Sequence, residues 1–141
     1  MKKVLIINSN YYKKISKNLV SVAKKRLQVM NFKISIIEVP GIYEIPIAIR
    51  KNIKKFDGFV ALGCVIKGQT PHFDLICSST FNAIISLSIK YNKPIGNGII
   101  TALNINQANQ RSKKTNIKKP NKGSEAVNAI ISILKNGPKK I

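Results

Sequence analysis

The chain has 141 residues, 44% of them apolar and 21% charged, the size and make-up of one ordinary domain over 1–141. Its 25 Lys and Arg stand against 5 Asp and Glu, a formal charge of +20. Recurrent Ile, Val and Leu stretches exclude wholesale disorder, and no apolar run reaches the roughly 18 residues of a membrane span.

Val4–Ile7 is a short, continuous apolar run and predicts a buried strand. Met1-Lys2-Lys3 before it imitates a signal peptide, but the apolar part is too short and no small-residue cleavage site follows. Ile15, Leu19, Val22, Ala23, Leu27 and Met30 then recur at helical spacing, with Lys on the other face. Ile34 to Val39 predicts a second strand, stopped by Pro40-Gly41, and Glu44 to Lys54 a second helix. Phe59 to Val65 predicts the third strand. Thr70 suits the cap of a third helix and Pro71 its first position, with Phe81, Ile84, Ile85 and Ile89 on the core face. Ile95 to Thr101 predicts a fourth strand, and Asn104 to Gln107 resembles a capping box opening a short helix. Lys113 to Lys122 reads as a basic loop, Ser124 to Leu134 as a strongly apolar last helix, and 135–141 as a tail expected to fray. Strands joined by helices must pair in parallel, with both sheet faces covered. The expected fold is α/β: a three-layer α/β/α sandwich on a four-stranded parallel sheet of order 2-1-3-4.

Cys64 and Cys77 are not in metal-ligand spacing, and the single His is too few for most His-based metal sites. The expectation is a cytoplasmic, thiol-reduced, metal-free protein. The Lys, Ile and Asn excess reads as compositional bias together with attraction for anionic small molecules. Nucleic-acid binding is the sharper alternative; against it, the lysines are scattered and only four Tyr and five Phe are available for stacking.

Ligands of open parallel sheets bind beyond the carboxyl ends of the strands, where the unusual segments of this sequence fall. Lys67-Gly68-Gln69-Thr70 enters a helix N-terminus, which suits an anion; it also fits a plain strand-to-helix turn. His72, in the first turn, is a candidate proton acceptor, although Asp74 pulls the other way and a lone His is more often structural. Glu44 would anchor a polar ligand or merely favour a helix start. Tyr11 and Tyr12 would stack a ring or stand as ordinary rim aromatics. Cys64, in an apolar strand, reads as inert packing.

Together these segments resemble a known family. Val39-Pro40-Gly41-Ile42-Tyr43-Glu44-Ile45-Pro46 is similar to the VPGA(F/Y)E(I/L)P segment of lumazine synthases, enzymes of the penultimate riboflavin step. Ala61-Leu62-Gly63-Cys64-Val65-Ile66-Lys67-Gly68-Gln69-Thr70-Pro71-His72-Phe73-Asp74 resembles their ALGxVIRGxTxHFD segment. Pro94 to Thr101 resembles the fourth-strand segment, and Asn106-Gln107-Ala108, Arg111 and Asn121-Lys122-Gly123 resemble the later EQAxxR and NKG elements. The likeness spans about residues 4 to 134, in the family's order.

The resemblance implies a flavodoxin-like fold and a cofactor-free condensation. The substrates are 5-amino-6-(D-ribitylamino)uracil and 3,4-dihydroxy-2-butanone 4-phosphate; the products are 6,7-dimethyl-8-ribityllumazine, phosphate and water. It further implies that Tyr11 stacks on the ring, and that Ile42, Tyr43 and Glu44 hold the ribitylaminouracil. Cys64, Val65 and Ile66 line the pyrimidine, Gln69 and Thr70 receive the phosphate, Arg111 pairs with it and His72 transfers protons. Asn97, Arg111 and Lys122 would reach the site from a neighbouring subunit. Asn10 stands where the family usually has Arg, Lys67 replaces Arg, and Asn97 stands where many members have Phe, making one wall of the ring pocket more polar.

The implied assembly is a homo-oligomer, with riboflavin synthase as a candidate partner protein and neither nucleic acid nor membrane. At least a ring is expected, because sites are shared between neighbours and the last helix is apolar on more than one face. A pentamer is expected over a capsid because the chain begins almost at strand one and the turn from Ser112 to Pro120 is long, lysine-rich and lacks glycine. Two other classes compete: a non-catalytic flavin or lumazine binder, which could lose His72 and Arg111, and a basic nucleic-acid-binding domain, which needs phosphate contacts along a surface.

Overall fold

Val4, Leu5, Ile6 and Ile7 are all fully buried, successive side chains pointing to opposite faces of a sheet that is covered on both sides. In this computed structural model, which describes residues 1–115 and 120–141, they belong to β1 (Lys3–Ser9). With β2 (Lys33–Val39), β3 (Gly58–Ile66) and β4 (Ile95–Ala102) it forms a parallel sheet of order β2-β1-β3-β4. The expected three-layer, flavodoxin-like order is the one observed.

One face carries α1 (Lys13–Val29) and α5 (Lys122–Leu134). Leu19, Ala23 and Leu27 of α1 and Val127 and Ile130 of α5 pack there with Val4, Ile6, Val60 and Leu62. The other face carries α2 (Ile45–Asn52) and α3 (His72–Tyr91), with Ile45, Ile49 and Ile84 on Leu5, Ile7, Phe59 and Ala61. The short α4 (Ile105–Ser112) buries Ala108 into the first of these layers. Gly96 lets α5 reach the sheet: a Cβ there would lie 2.2 Å from the Ala126 carbonyl oxygen.

Several boundaries differ from the sequence reading for local reasons. A 3₁₀ turn over Ile42–Glu44 precedes α2, which starts at Ile45 with Pro46 in its first turn. α3 starts at His72, not Pro71; Pro71 takes the cap position, and Thr70 Oγ1 accepts from His72 N at a long 3.4 Å. Asn104 caps α4 by accepting from Gln107 N at 2.9 Å, while Gln107 Oε1 accepts from Leu103 N at 2.8 Å, one residue before the box position. α5 starts at Lys122, because Asn121 accepts from Gly123 N and Ser124 N. Lys135 is held by its ammonium, which donates to the Met30 carbonyl at 2.9 Å and lies 5.0 Å from the Phe32 ring centre.

Both α3 and α5 have apolar residues to spare: on α5 Ile133 is 65% exposed and Ala129 is exposed, as expected of a last helix apolar on more than one face, and α3 shows more of them. Ala126, Val127 and Ile130 of α5 turn inward, whereas Leu75, Ile85 and Ile89 of α3 are 65%, 55% and 76% exposed. The core face of α3 therefore shifts from the expected one: Thr80 and Ile84 are buried and Ile76, Phe81, Leu87 and Tyr91 pack half-buried beside them, while Ile85 and Ile89 face outward. An all-round apolar helix has no periodicity to say which side meets the sheet. Of the basic turn, residues 116–119 lie outside the described residues.

Candidate active site

The carboxyl ends of β1 and β3 and the 3₁₀ turn enclose a cleft of about 420 Å³. Its lining includes Tyr11, Ile42, Tyr43, Cys64, Val65, Ile66 and His72, seven positions singled out from sequence. Gly63 brings the three elements together. A Cβ at this position would lie 2.9 Å from both Ile42 Cγ2 and Ser9 Cβ, so a side chain would push the turn off the strands. Tyr11 is 73% exposed and meets Tyr12 edge to face, ring centres 5.0 Å apart. Burial pushes the Cys64 thiol up to about 12, which keeps it protonated and unreactive, as its reading as inert packing requires. Burial raises Tyr12 first, with Cys64 and Tyr11 adding to it.

Asn97, Arg111 and Lys122 are not in that cleft. They line a second hollow, about 280 Å³, formed by β4, α4 and the start of α5. No carboxylate lines it, and the two hollows share no lining residue. Asn97 Oδ1 accepts from Ile99 N at 3.1 Å, so its amide is oriented by its own strand. Lys122 meets Glu125 at 3.4 Å, the one ion pair among the described residues, which leaves Arg111 without a carboxylate. The three remaining positions line neither hollow. Glu44 stands beside the cleft, its Oε1 lying 3.1 Å from where a Gly41 side chain would begin, and Gln69 and Thr70 are exposed just before α3. Among the described residues no three His, Cys, Asp or Glu side chains gather as metal ligands would.

Residues 1–136 match the sequence pattern of the family described as 6,7-dimethyl-8-ribityllumazine synthase. The chain belongs to this family. It is 38% identical over 135 residues to the 6,7-dimethyl-8-ribityllumazine synthase of Bartonella tribocorum, covering 94% of this chain and 89% of that one. The Bartonella henselae protein of that name is 40% identical over 135 residues (93% and 85% covered), and the Campylobacter curvus one 37% identical over 137 residues (94% and 86% covered). Lumazine synthase membership places the chain at the condensation step of riboflavin biosynthesis, a transferase reaction on small molecules.

Two features of this chain escaped the sequence reading. Ser9 lines the cleft beside Tyr12, and strand alternation would have put it there, on the side of Leu5 and Ile7. Asn121, buried, does more than begin a motif: besides capping α5 it donates to the carbonyls of Ser112 and Lys113 at 2.9 and 3.1 Å. An Asn with four bonds in reach cannot be told from a surface Asn by pattern alone.

Proposed function

We propose that this chain makes 6,7-dimethyl-8-ribityllumazine from 5-amino-6-(D-ribitylamino)uracil and 3,4-dihydroxy-2-butanone 4-phosphate, in sites each completed by two chains. The observation that carries this reading is the division on a single chain. The aromatic rings and His72 line one hollow; Arg111 and Lys122 line another, with no residue in common. A neighbour's second hollow, laid against the first, assembles a ring pocket and an anion pocket into one site.

In that site Tyr11 stacks on the pyrimidine, and Cys64, Val65 and Ile66 line its edge. Ile42, Tyr43 and Glu44 hold the ribityl chain, the carboxylate accepting from its hydroxyls. Gln69 and Thr70, at the start of α3, receive the phosphate where backbone N–H groups are free, and a neighbour's Arg111 pairs with it through two N–H groups. Lys122 stands at the same end, and Asn97 offers an amide to the ring. The amine attacks the ketone and an imine forms with loss of water. Phosphate then leaves, and the second amine closes the ring with loss of a further water. His72 moves protons between these groups. Most of the acceleration comes from holding both molecules in register, with His72 adding roughly 10- to 100-fold.

The exposed Leu75, Ile85 and Ile89 of α3 give neighbouring copies an apolar surface to bury, consistent with a closed ring, a pentamer. The free thiols of Cys64 and Cys77 suit the cytoplasm, and no helix among the described residues is long and apolar enough to cross a membrane. Riboflavin synthase is the candidate partner protein that would consume the product. Purified protein mixed with both substrates should develop lumazine absorbance and fluorescence; no product over hours defeats the proposal.

A further inference from the structure

Tyr12 has no role in the site as assigned so far, yet it lines the cleft together with Tyr11, Cys64 and His72. It occupies the N-cap of α1 and does not cap it: its side chain accepts nothing from the helix, and the first turn holds no acid. Asn, Ser or Asp would satisfy one of the free N–H groups there, so helix formation does not account for a tyrosine. The main chain is nonetheless pinned, since the Tyr12 carbonyl accepts from Ser16 N at 2.9 Å. The ring is half-buried against the apolar layer of α1 and α5, and meets Tyr11 at 76°. Tyr11, itself mostly exposed, thus leans on a ring that is partly buried against the core. The Tyr12 hydroxyl has no hydrogen-bond partner among the described residues.

We propose that Tyr12 is a second ligand-contacting aromatic: its ring sets the tilt of Tyr11, and its hydroxyl donates a hydrogen bond to a carbonyl or hydroxyl oxygen of the bound heterocycle. This rests on the reading that the ribitylaminouracil occupies this cleft. Burial, followed by the nearby Cys64 and Tyr11, holds the phenol above its ordinary 10.0, so it stays a neutral donor through the neutral range. A fixed neutral donor suits the oxygens of a pyrimidinedione, and the edge-to-face pair leaves the outer face of Tyr11 free to stack.

The test titrates wild type, Tyr12→Phe and Tyr12→Asn with 6,7-dimethyl-8-ribityllumazine, following ligand fluorescence, with thermal denaturation and steady-state kinetics of each. Tyr12→Phe should bind about 5- to 10-fold more weakly, the loss of one hydrogen bond, with unchanged Tm, a raised KM and a kcat within about twofold. Tyr12→Asn, which offers the helix a cap and removes the ring, should bind more weakly still. Tyr12→Phe binding as tightly as wild type overturns the inference, and that variant keeps the ring packing, so its result stands whether or not Tyr12→Asn folds. Tyr12→Asn binding no more weakly than Tyr12→Phe overturns the support of Tyr11. Wild type failing to bind the lumazine overturns the site assignment instead.

Discussion

Asn121 Nδ2 donates to the Ser112 carbonyl at 2.9 Å, joining the end of α4 to the start of α5 across nine residues of sequence. The same amide reaches the Lys113 carbonyl, and its oxygen takes two N–H groups of α5. One buried side chain therefore sets the spacing between Arg111 on α4 and Lys122 on α5. Asn121→Ala should lower stability by about 2 to 3 kcal/mol, since it uncaps a helix and strands buried polar groups. Denaturant titration reads this, and a raised KM for the phosphate substrate should accompany it. Wild-type stability would show the junction to be held by other contacts.

His72 and Arg111 should fail in different ways. His72→Ala should slow turnover roughly 10- to 100-fold with product affinity nearly intact; Arg111→Ala should instead weaken binding of the butanone phosphate. Steady-state kinetics across pH 6 to 8 separates the two. Turnover of His72→Ala at the wild-type rate throughout that range would remove His72 from the proton-transfer role.

If each site takes His72 from one chain and Arg111 from the next, the two impaired variants should rescue each other. After co-refolding equal amounts of His72→Ala and Arg111→Ala, about a quarter of the sites carry neither lesion by random pairing. Activity should rise well above the mean of the separate variants. A strictly additive result would mean that both residues serve one chain's own site.

The surplus apolar face of α3 makes a separate prediction about assembly. Leu75 and Ile89 are 65% and 76% exposed, so Leu75→Glu with Ile89→Lys should leave the isolated fold nearly as stable while preventing the ring from closing. Light scattering should report a mass near about five chains for wild type and a much lower one for the double variant. A wild-type particle near about sixty chains would mean a capsid.

Alkaline stability should carry the signature of Cys64. Its thiol ionises near 9.0 when unfolded and is pushed up to about 12 by burial. Between those values the folded state holds the extra proton, so stability falls as pH rises, by at most about 1.4 kcal/mol per unit from this group. Below pH 9 the thiol is protonated in both states and contributes no slope. Urea denaturation of wild type and Cys64→Ala from pH 8 to 10.5 should show the steeper decline in wild type; parallel curves would mean that the thiol is not desolvated.

Much of this molecule was legible in the residues themselves. The apolar runs of the four strands, the helical spacing between them and the long connections leave a parallel sheet as the arrangement that pairs every strand, and the expected order 2-1-3-4 is the one the sheet adopts. Segments such as Pro40–Glu44 and Gly63–His72 also had to meet at one rim, because connections after parallel strands leave from the same edge. The grouping of these segments around one cleft, from Tyr11 to His72, could therefore be read in advance.

What required the tertiary structure was every choice between equivalent local patterns. α3 and α5 are both rich in apolar residues, and only packing decided which of them face inward: Gly96 admits the α5 backbone to β4 and buries Ala126, Val127 and Ile130, while Leu75, Ile85 and Ile89 of α3 and Ile133 of α5 stay exposed. Asn121 reads as one more polar residue in a basic stretch until four partners surround it. Arg111 and Lys122 sit outside the His72 cleft for a topological reason. They follow β4, two strands away from β1, while Tyr11, Tyr43 and His72 follow β1 and the two strands paired with it, β2 and β3. Strand order converts that distance along the chain into two separate hollows, which periodicity alone does not distinguish.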